Sequence, residues 1–238
     1  MFSDEELAAL RVSPDRKPFP QSKICDVNRG FVMLKLPAFT FLNGPPRSGK
    51  STLADMIDRQ DISMCRMSFA EPLRGALLGT FYPDRFSDML QLNLRDPATK
   101  MQTIHGTTWT NEQFLIDYGT WLKSKTNEYI LGDLAKQAIV HTDYYTRYVF
   151  DDCRTIGDVA PFINSYGASE CLLVHVERRG AVWRPGDVGG SLLSLPGIRH
   201  IVVQNNSTPS DMLKQFELLT GSPAAKPPDL ATTTTDQL

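Results

Sequence analysis

The run Gly44-Pro45-Pro46-Arg47-Ser48-Gly49-Lys50-Ser51 constrains the fold of this chain more than any other stretch. It is a full match to the pattern G-x-x-x-x-G-K-S/T. An apolar run, Ala38-Phe39-Thr40-Phe41-Leu42, precedes it, and a helix-like run from Thr52 to Asp58 follows. A strand, a glycine-bounded turn and a helix in direct succession are the context that a phosphate-binding loop requires. Gly44 and Gly49 let the backbone wrap closely around phosphate oxygens. Successive N–H groups then point inward, and the helix N-terminus adds a positive dipole. Arg47, Ser48 and Thr52 belong to the same cradle. Lys50 supplies a mobile charge for terminal phosphates, and Ser51 a hydroxyl ligand for Mg2+. The bland alternative is a chance Gly/Pro turn, and the eight matched positions in this context argue against it.

The rest of the chain alternates strand-like with helix-like runs. Strands are expected at 38–42, 62–69, 147–151, 171–176 and 200–204, and helices at 50–59, 71–80, 111–139, 156–166 and 208–219. The last helix opens on Ser207-Thr208-Pro209-Ser210, with cap residues and a proline suited to the first turn. Such alternation predicts a three-layer α/β fold: a mostly parallel sheet of about five strands with helices on both faces. Ligands of such sheets gather at the carboxyl ends of the strands. Apolar residues make up 41% of the 238, enough for the core of one α/β domain. That body is expected over 31–220. It should contain a helical region at 71–140 and a short Gly- and Arg-rich loop at 177–190. Residues 1–30 read as a Pro-bearing extension with one short helix at 4–12, and 221–238 as a disordered low-complexity tail.

A net charge of −2 gives no global basic field for a nucleic-acid backbone, which leaves a local basic strip as the only such surface. Cys25, Cys65, Cys153 and Cys171 show no C-x-x-C spacing and read as free thiols in a reducing, cytoplasmic compartment. The acidic start, Met1-Phe2-Ser3-Asp4-Glu5-Glu6, is unlike a signal peptide, and no apolar run has the length of a membrane span. A homodimer is among the assemblies the sequence allows.

A second acidic element usually completes a phosphate-loop site by holding Mg2+. Tyr148-Val149-Phe150-Asp151-Asp152 fits, with Asp151 the more natural strand end and Asp152 the runner-up; the alternative is that Asp151 caps the next helix. No N-K-x-D run for reading guanine is present, and the body is short for a motor ATPase. A small phosphotransferase remains, with a second pocket for the acceptor. Three segments suit that pocket. In Ser68-Phe69-Ala70-Glu71-Pro72-Leu73-Arg74, Phe69 would stack on a base and Arg74 bind a phosphate, or else Phe69 is core and Arg74 a solvated helix residue. In the run 117–125, Tyr118, Trp121 and Lys125 would line a base-and-phosphate pocket, or else form an amphipathic helix with a buried Trp. In 177–190, Arg178, Arg179 and Arg184 lie among glycines, as in a lid that brings guanidinium groups to a transferring phosphoryl, or in an ordinary solvated loop.

These elements, in this order, resemble the phage-type deoxynucleoside monophosphate kinases: the loop, Phe69-Ala70-Glu71-Pro72-Leu73-Arg74, Tyr118-Gly119-Thr120, Val149-Phe150-Asp151-Asp152-Cys153-Arg154, the Arg-rich loop and Val203-Gln204-Asn205-Asn206-Ser207-Thr208. The resemblance covers about residues 36–220. It implies a P-loop kinase fold like that of adenylate kinase, with 71–140 as an inserted acceptor-binding region and 177–190 as the lid. It implies ATP and Mg2+, γ-phosphoryl transfer to a deoxynucleoside monophosphate, and the cytoplasm of a host cell as the setting. Arg154 would contact substrate phosphate, Arg178 or Arg179 would act from the lid, and Asn205 and Asn206 would lie against adenine. The chain departs from that family around the Gly-Thr segment, where lysines or neutral residues replace two arginines. A Lys does not reproduce the planar fork of Arg.

Three readings follow. The first is transfer to a mononucleotide phosphate, which needs no general base. The second is transfer to a hydroxymethyl-pyrimidine, free or within DNA. It needs a carboxylate such as Glu71 or Asp152 and, for DNA, a basic groove. The third is a nucleotide-binding protein without catalysis, against which Lys50 and Ser51 argue.

Overall fold

The computed structural model describes residues 35–83, 94, 96–140, 145–183 and 189–221. The expected extension at 1–30, the tail beyond Gly221 and Arg184 lie outside the described residues. What is described falls into two units, one within 72–120 and the other made of 35–71 and 121–221.

The larger unit is built on five strands, β1 (Phe39–Asn43), β2 (Met64–Met67), β3 (Arg147–Phe150), β4 (Cys171–Glu177) and β5 (Arg199–Gln204). They pair in the order β2-β3-β1-β4-β5, and every pairing is parallel. The alternation in the sequence therefore gives the expected α/β sheet. Helices α1 (Lys50–Gln60), α2 (Glu71–Phe81), α3 (Pro97–Lys100), α4 (Asn111–Lys125), α5 (Ile130–Val140), α6 (Ile156–Tyr166) and α7 (Pro209–Thr220) follow in chain order. None is long and apolar enough to cross a membrane among the described residues.

Register decides what each face of the sheet holds, because side chains alternate along a strand. One face is aliphatic. Leu42, Val149, Val174 and Val203 pack with Leu53, Ala54 and Ile57 of α1 and Met212 and Phe216 of α7. The other face is aromatic. Phe39 and Phe41 of β1 and Phe150 of β3 pack with Phe162 of α6, and Phe41 lies 5.3 Å from Phe150 and 5.3 Å from Phe162, centroid to centroid.

Two expected elements change their bounds. The run 62–69 pairs only over Met64–Met67. At its start the Asp61 carboxylate draws in the Ser63 amide at 2.9 Å, and at its end the Asp152 carboxylate draws the Phe69 and Ala70 amides out of the ladder at 2.9 and 3.1 Å. The expected helix at 111–139 is two helices. Asn127 interrupts it by accepting the Tyr129 amide on its own side chain at 2.8 Å, a local bond that competes with the helix.

The 72–120 unit has its own small core, in which Leu77, Leu94 and Ile104 pack with Phe81, Tyr82 and Phe114. Asn111 is fully buried there. Its amide donates to the Thr99 carbonyl at 2.9 Å and its carbonyl oxygen accepts the Tyr82 hydroxyl at 3.1 Å.

Candidate functional site

The loop after β1 is held open by its glycines. Gly44 sits at φ 151° and an added Cβ would collide with the Val176 carbonyl. Gly49 sits at φ 105° and an added Cβ would collide with the Asn205 amide. Between them Arg47 adopts φ 63°, a conformation that a residue with a side chain takes only under constraint. The Ser48 amide closes the turn on the Pro45 carbonyl at 3.2 Å. Lys50, in the first turn of α1, folds back over the loop, and its ammonium donates to the Gly44 and Pro45 carbonyls at 2.6 and 2.8 Å. The Ser48 hydroxyl is buried with no hydrogen-bond partner among the described residues, an orphan donor inside the loop. A cradle that a Cβ would fill, an unpaired hydroxyl and a cation folded back on carbonyls fit the phosphates of a nucleotide. Ser51 and Thr52 are exposed on the first turn of α1, where a metal ion riding on those phosphates would meet them.

Two neighbouring strand ends close on this loop. After β4, Arg178 donates to the Arg47 carbonyl at 3.4 Å, and the Arg179 amide donates to the Asn206 side chain at 2.7 Å. After β5, the Asn205 side chain donates to the Ser48 carbonyl at 2.7 Å, while its backbone amide donates to the Glu177 carbonyl at 2.7 Å. The structure thus gathers Gly44, Arg47, Ser48, Gly49, Lys50, Arg178, Arg179, Asn205 and Asn206 on one rim. Both arginines are exposed.

The acidic pair beyond β3 divides its labour. Asp151 is buried, and its carboxylate is engaged by Arg66 of β2, through Nε at 3.0 Å and through Nη2. Arg66 also pairs with Asp55 of α1. Burial opposes the Arg66 charge, but Asp151 and Asp55 outweigh it and hold the guanidinium above its ordinary pKa. Asp151 is therefore committed to an ion pair, neither capping α6 nor offering both oxygens to a metal. The cap of α6 is Thr155, in a reciprocal box with Asp158. Asp152 is the half-buried member; it accepts from the Ser68 hydroxyl at 2.5 Å and from the Phe69 and Ala70 amides. Arg154 follows with an exposed side chain, its backbone amide fixed on Asp158 at 2.9 Å.

Several acceptor-side readings move. Phe69 is 2% exposed and stacks on Phe150 with centroids 4.5 Å apart, so its ring is core and no platform for a base. Trp121 is half exposed, not the buried Trp of the bland reading, and Lys125 is exposed. Within the 72–120 unit, Tyr118 stacks on Phe114 at 5.4 Å, and burial pushes its phenol pKa up. Arg74 is half-buried in the same unit. The lysine that meets the region after β3 is Lys123, 3.4 Å from both Asp158 and Thr155.

Sequence reasoning missed Arg66 as a member of this neighbourhood, and also Asn43 and His175, buried where β1 and β4 run side by side. A signal existed for Arg66, since a lone cation inside a short strand-like run must find a carboxylate. Lys123 lay within the run 117–125 that the sequence offered for the pocket.

No family model matches the chain, and no curated protein matches it. Among solved structures it is similar to an unliganded sugar kinase from Janibacter sp. HTCC2649 at 11% identity and a TM-score of 0.35, over 79% of this chain and 96% of that one. It is also similar to a gluconokinase from Sinorhizobium meliloti 1021 at 12% identity and a TM-score of 0.34, over 82% of this chain and 95% of that one. At these scores neither likeness bears on what this chain acts upon.

Proposed function

We propose that this protein transfers the γ-phosphoryl group of ATP to the phosphate of a deoxynucleoside monophosphate, giving ADP and the diphosphate. The observation that carries this reading is the loop itself: a glycine cradle at the start of α1 with the Lys50 ammonium folded over it and three guanidinium-bearing residues, Arg154, Arg178 and Arg179, at the ends of neighbouring strands. Loop amides and Lys50 would hold the β- and γ-phosphates, with Asn205 and Asn206 beside the base. An acceptor phosphate oxygen, already anionic, attacks the γ-phosphorus in line as the bond to the β-phosphate oxygen breaks. Negative charge spreads over the transferring group, where fixed cations stabilise it most. Arg154 would orient the acceptor, and Arg178 and Arg179 would neutralise the transferring group. Mg2+, held at Ser51 with a carboxylate after β3, would supply further charge neutralisation on the phosphates.

Support for a phosphate acceptor over a hydroxyl acceptor comes from Asp152. A hydroxyl nucleophile needs a carboxylate to take its proton. Both oxygens of Asp152 are already hydrogen-bonded, Oδ1 to the Phe69 amide and Oδ2 to Ser68 and Ala70. Glu71, the other carboxylate considered for that role, is exposed at the start of α2.

The test is incubation with labelled ATP, Mg2+ and a panel of deoxynucleoside monophosphates, modified monophosphates and hydroxymethyl-bearing DNA. Label in a diphosphate product supports the proposal. Label only in DNA replaces it with the hydroxyl-acceptor reading, and ATP binding without transfer to any acceptor replaces it with a non-catalytic role.

A further inference from the structure

A line of buried polar groups crosses the sheet beneath the site. The Asn43 side chain, last in β1 and adjacent to Gly44, donates through Nδ2 to the Cys153 carbonyl at 3.1 Å. Its Oδ1 therefore faces the other way, 3.2 Å from His175 Nδ1 of β4. His175 Nε2 lies 3.0 Å from His200 Nδ1 of β5, with the two rings 4° from parallel. His200 Nε2 ends the line 2.7 Å from the Leu195 carbonyl.

Counting protons on this line gives a definite answer. Asn43 Oδ1 and the Leu195 carbonyl are acceptors only, so His175 Nδ1 and His200 Nε2 must each carry a hydrogen. The contact between the rings needs one more. Three hydrogens on four ring nitrogens are one more than two neutral imidazoles hold. The complete line therefore carries a single extra proton, shared between the rings. With no extra proton one of the three bonds is lost. With two, both facing nitrogens carry hydrogens and the ring-to-ring bond is lost.

We infer that Asn43, His175 and His200 form a one-proton positioning relay that ties the root of the phosphate loop to the segment 189–195, and that loss of the shared proton frees the Leu195 end. That end is the weak one because His200 is half-buried while His175 is 3% exposed. The freed segment matters because it is packed into the molecule at two further points. Leu192 is fully buried, and Gly189 lies against the Trp183 ring of the strand exit that carries Arg178 and Arg179. The relay thus connects the loop root and the peptide before Arg154, at the site end of the sheet, through β4 to the amino end of β5.

The charges around the relay are few. Burial, then His200, push the His175 pKa down to about 4, and Glu177 opposes them weakly. On β4 the Cys171 thiol is pushed up to about 12 and stays neutral, and the Cys153 thiol is pushed well above its ordinary value. Asp158, Asp152, Lys123 and Lys50 act on Cys153, beside the Asn43 end. Arg199, next to His200, donates to the Leu219 carbonyl at 2.6 Å. Segment 189–195 brings no titratable side chain.

The consequence for catalysis rests on the phosphotransfer reading; the relay does not. The test uses the full chain labelled with 15N-histidine, followed by NMR from about pH 5 to about pH 8, the range in which histidine titrates. Hydrogen exchange of 189–195 and phosphoryl transfer are measured in parallel. Expected are three ring N–H groups across the pair at the acid end. After correction for intrinsic exchange, protection of 189–195 should then fall by about tenfold per pH unit above the titration point, as release of one proton requires. His200→Gln places a neutral amide donor toward Leu195 and should keep the segment protected throughout, and His200→Ala should leave it unprotected throughout. Two neutral rings across the whole range, protection that ignores the titration, or wild-type pH dependence in His200→Gln would each overturn the relay. Should His200→Ala not fold, the wild type and His200→Gln decide. Exchange that tracks the titration in a protein without transfer activity sinks the phosphotransfer reading alone, and transfer with flat exchange sinks the relay alone.

Discussion

The two faces of the sheet support the candidate site in different ways. Beneath α1 and α7 the contacts are aliphatic, and the loop lysine and serines stand above them at the start of a helix whose inner face is secured by burial. On the other face aromatic rings fill the middle of the sheet, and toward the site the packing gives way to Asn43 and His175, joined from β5 by His200. Burial is non-directional, whereas a buried polar line holds only while each donor meets an acceptor. The difference teaches where function and stability can be separated. On the aliphatic face a site residue can be removed while the fold stands. On the other face the same groups position the site and stabilise the molecule.

Lys50→Ala should show the separation most sharply. Lys50 donates to the Gly44 and Pro45 carbonyls of its own loop, a local contact whose loss should cost the fold little. Transfer should fall by about 100- to 1,000-fold, the usual cost of one fixed donor to a transition-state oxyanion. Steady-state kinetics beside a thermal melt checks it; full activity, or a collapsed melt, would break the contrast between the faces.

On the aromatic face Phe162→Ala should cost about 3–5 kcal/mol of folding stability, since the ring is fully buried against Phe39, Phe41, Phe69 and Phe150. Ile57→Val on the aliphatic face should cost about 1 kcal/mol. Denaturant melts measure each loss, and a cost near 1 kcal/mol for Phe162→Ala would break the reading of that ring as the centre of the aromatic face.

The acidic pair sharpens the contrast further. Asp151→Ala leaves Arg66, 11% exposed, with only the half-exposed Asp55 as partner, and should cost about 3 kcal/mol or more. Asp152→Asn should cost less, about 1–3 kcal/mol, by presenting an N–H group to donors at Phe69 or Ala70. If Asp152→Asn proves the more damaging, the assignment of Asp151 to structure fails.

Much of this was legible in the sequence, and the limit is physical. The loop was legible because phosphate binding needs glycines at fixed spacing from Lys50. The strands were legible because a parallel sheet buried on both faces shows as apolar runs. The roles of Phe69 and Asp151 were not. Their neighbours, Phe150 and Arg66, lie 81 and 85 residues away in the chain, and which of two adjacent acids faces a cation depends on register that only strand pairing sets. The single reading of 111–139 as one helix failed for a local reason, since the Asn127 side chain outcompetes the helix by bonding two residues ahead.

The last effect is the one that pH exposes. His175 titrates at about 4 in the folded protein, below the roughly 6.5 of an unfolded chain. Between these values the unfolded state binds the proton and the folded state does not. Stability from this group is therefore complete above about 6.5 and is lost as pH falls toward 4, on the order of 3 kcal/mol in all. Among the described residues the aliphatic face packs no histidine, so the loss belongs to the polar line. His175→Asn keeps an amide donor for Asn43 and cannot take up the proton. It should lower stability near neutral pH, where the ring's packing is missed, yet flatten the acid limb of a stability–pH curve. Denaturation midpoints across that range decide it. An acid limb as steep in the variant as in the wild type would move the titrating group away from His175, and would leave the two faces alike in their response to pH.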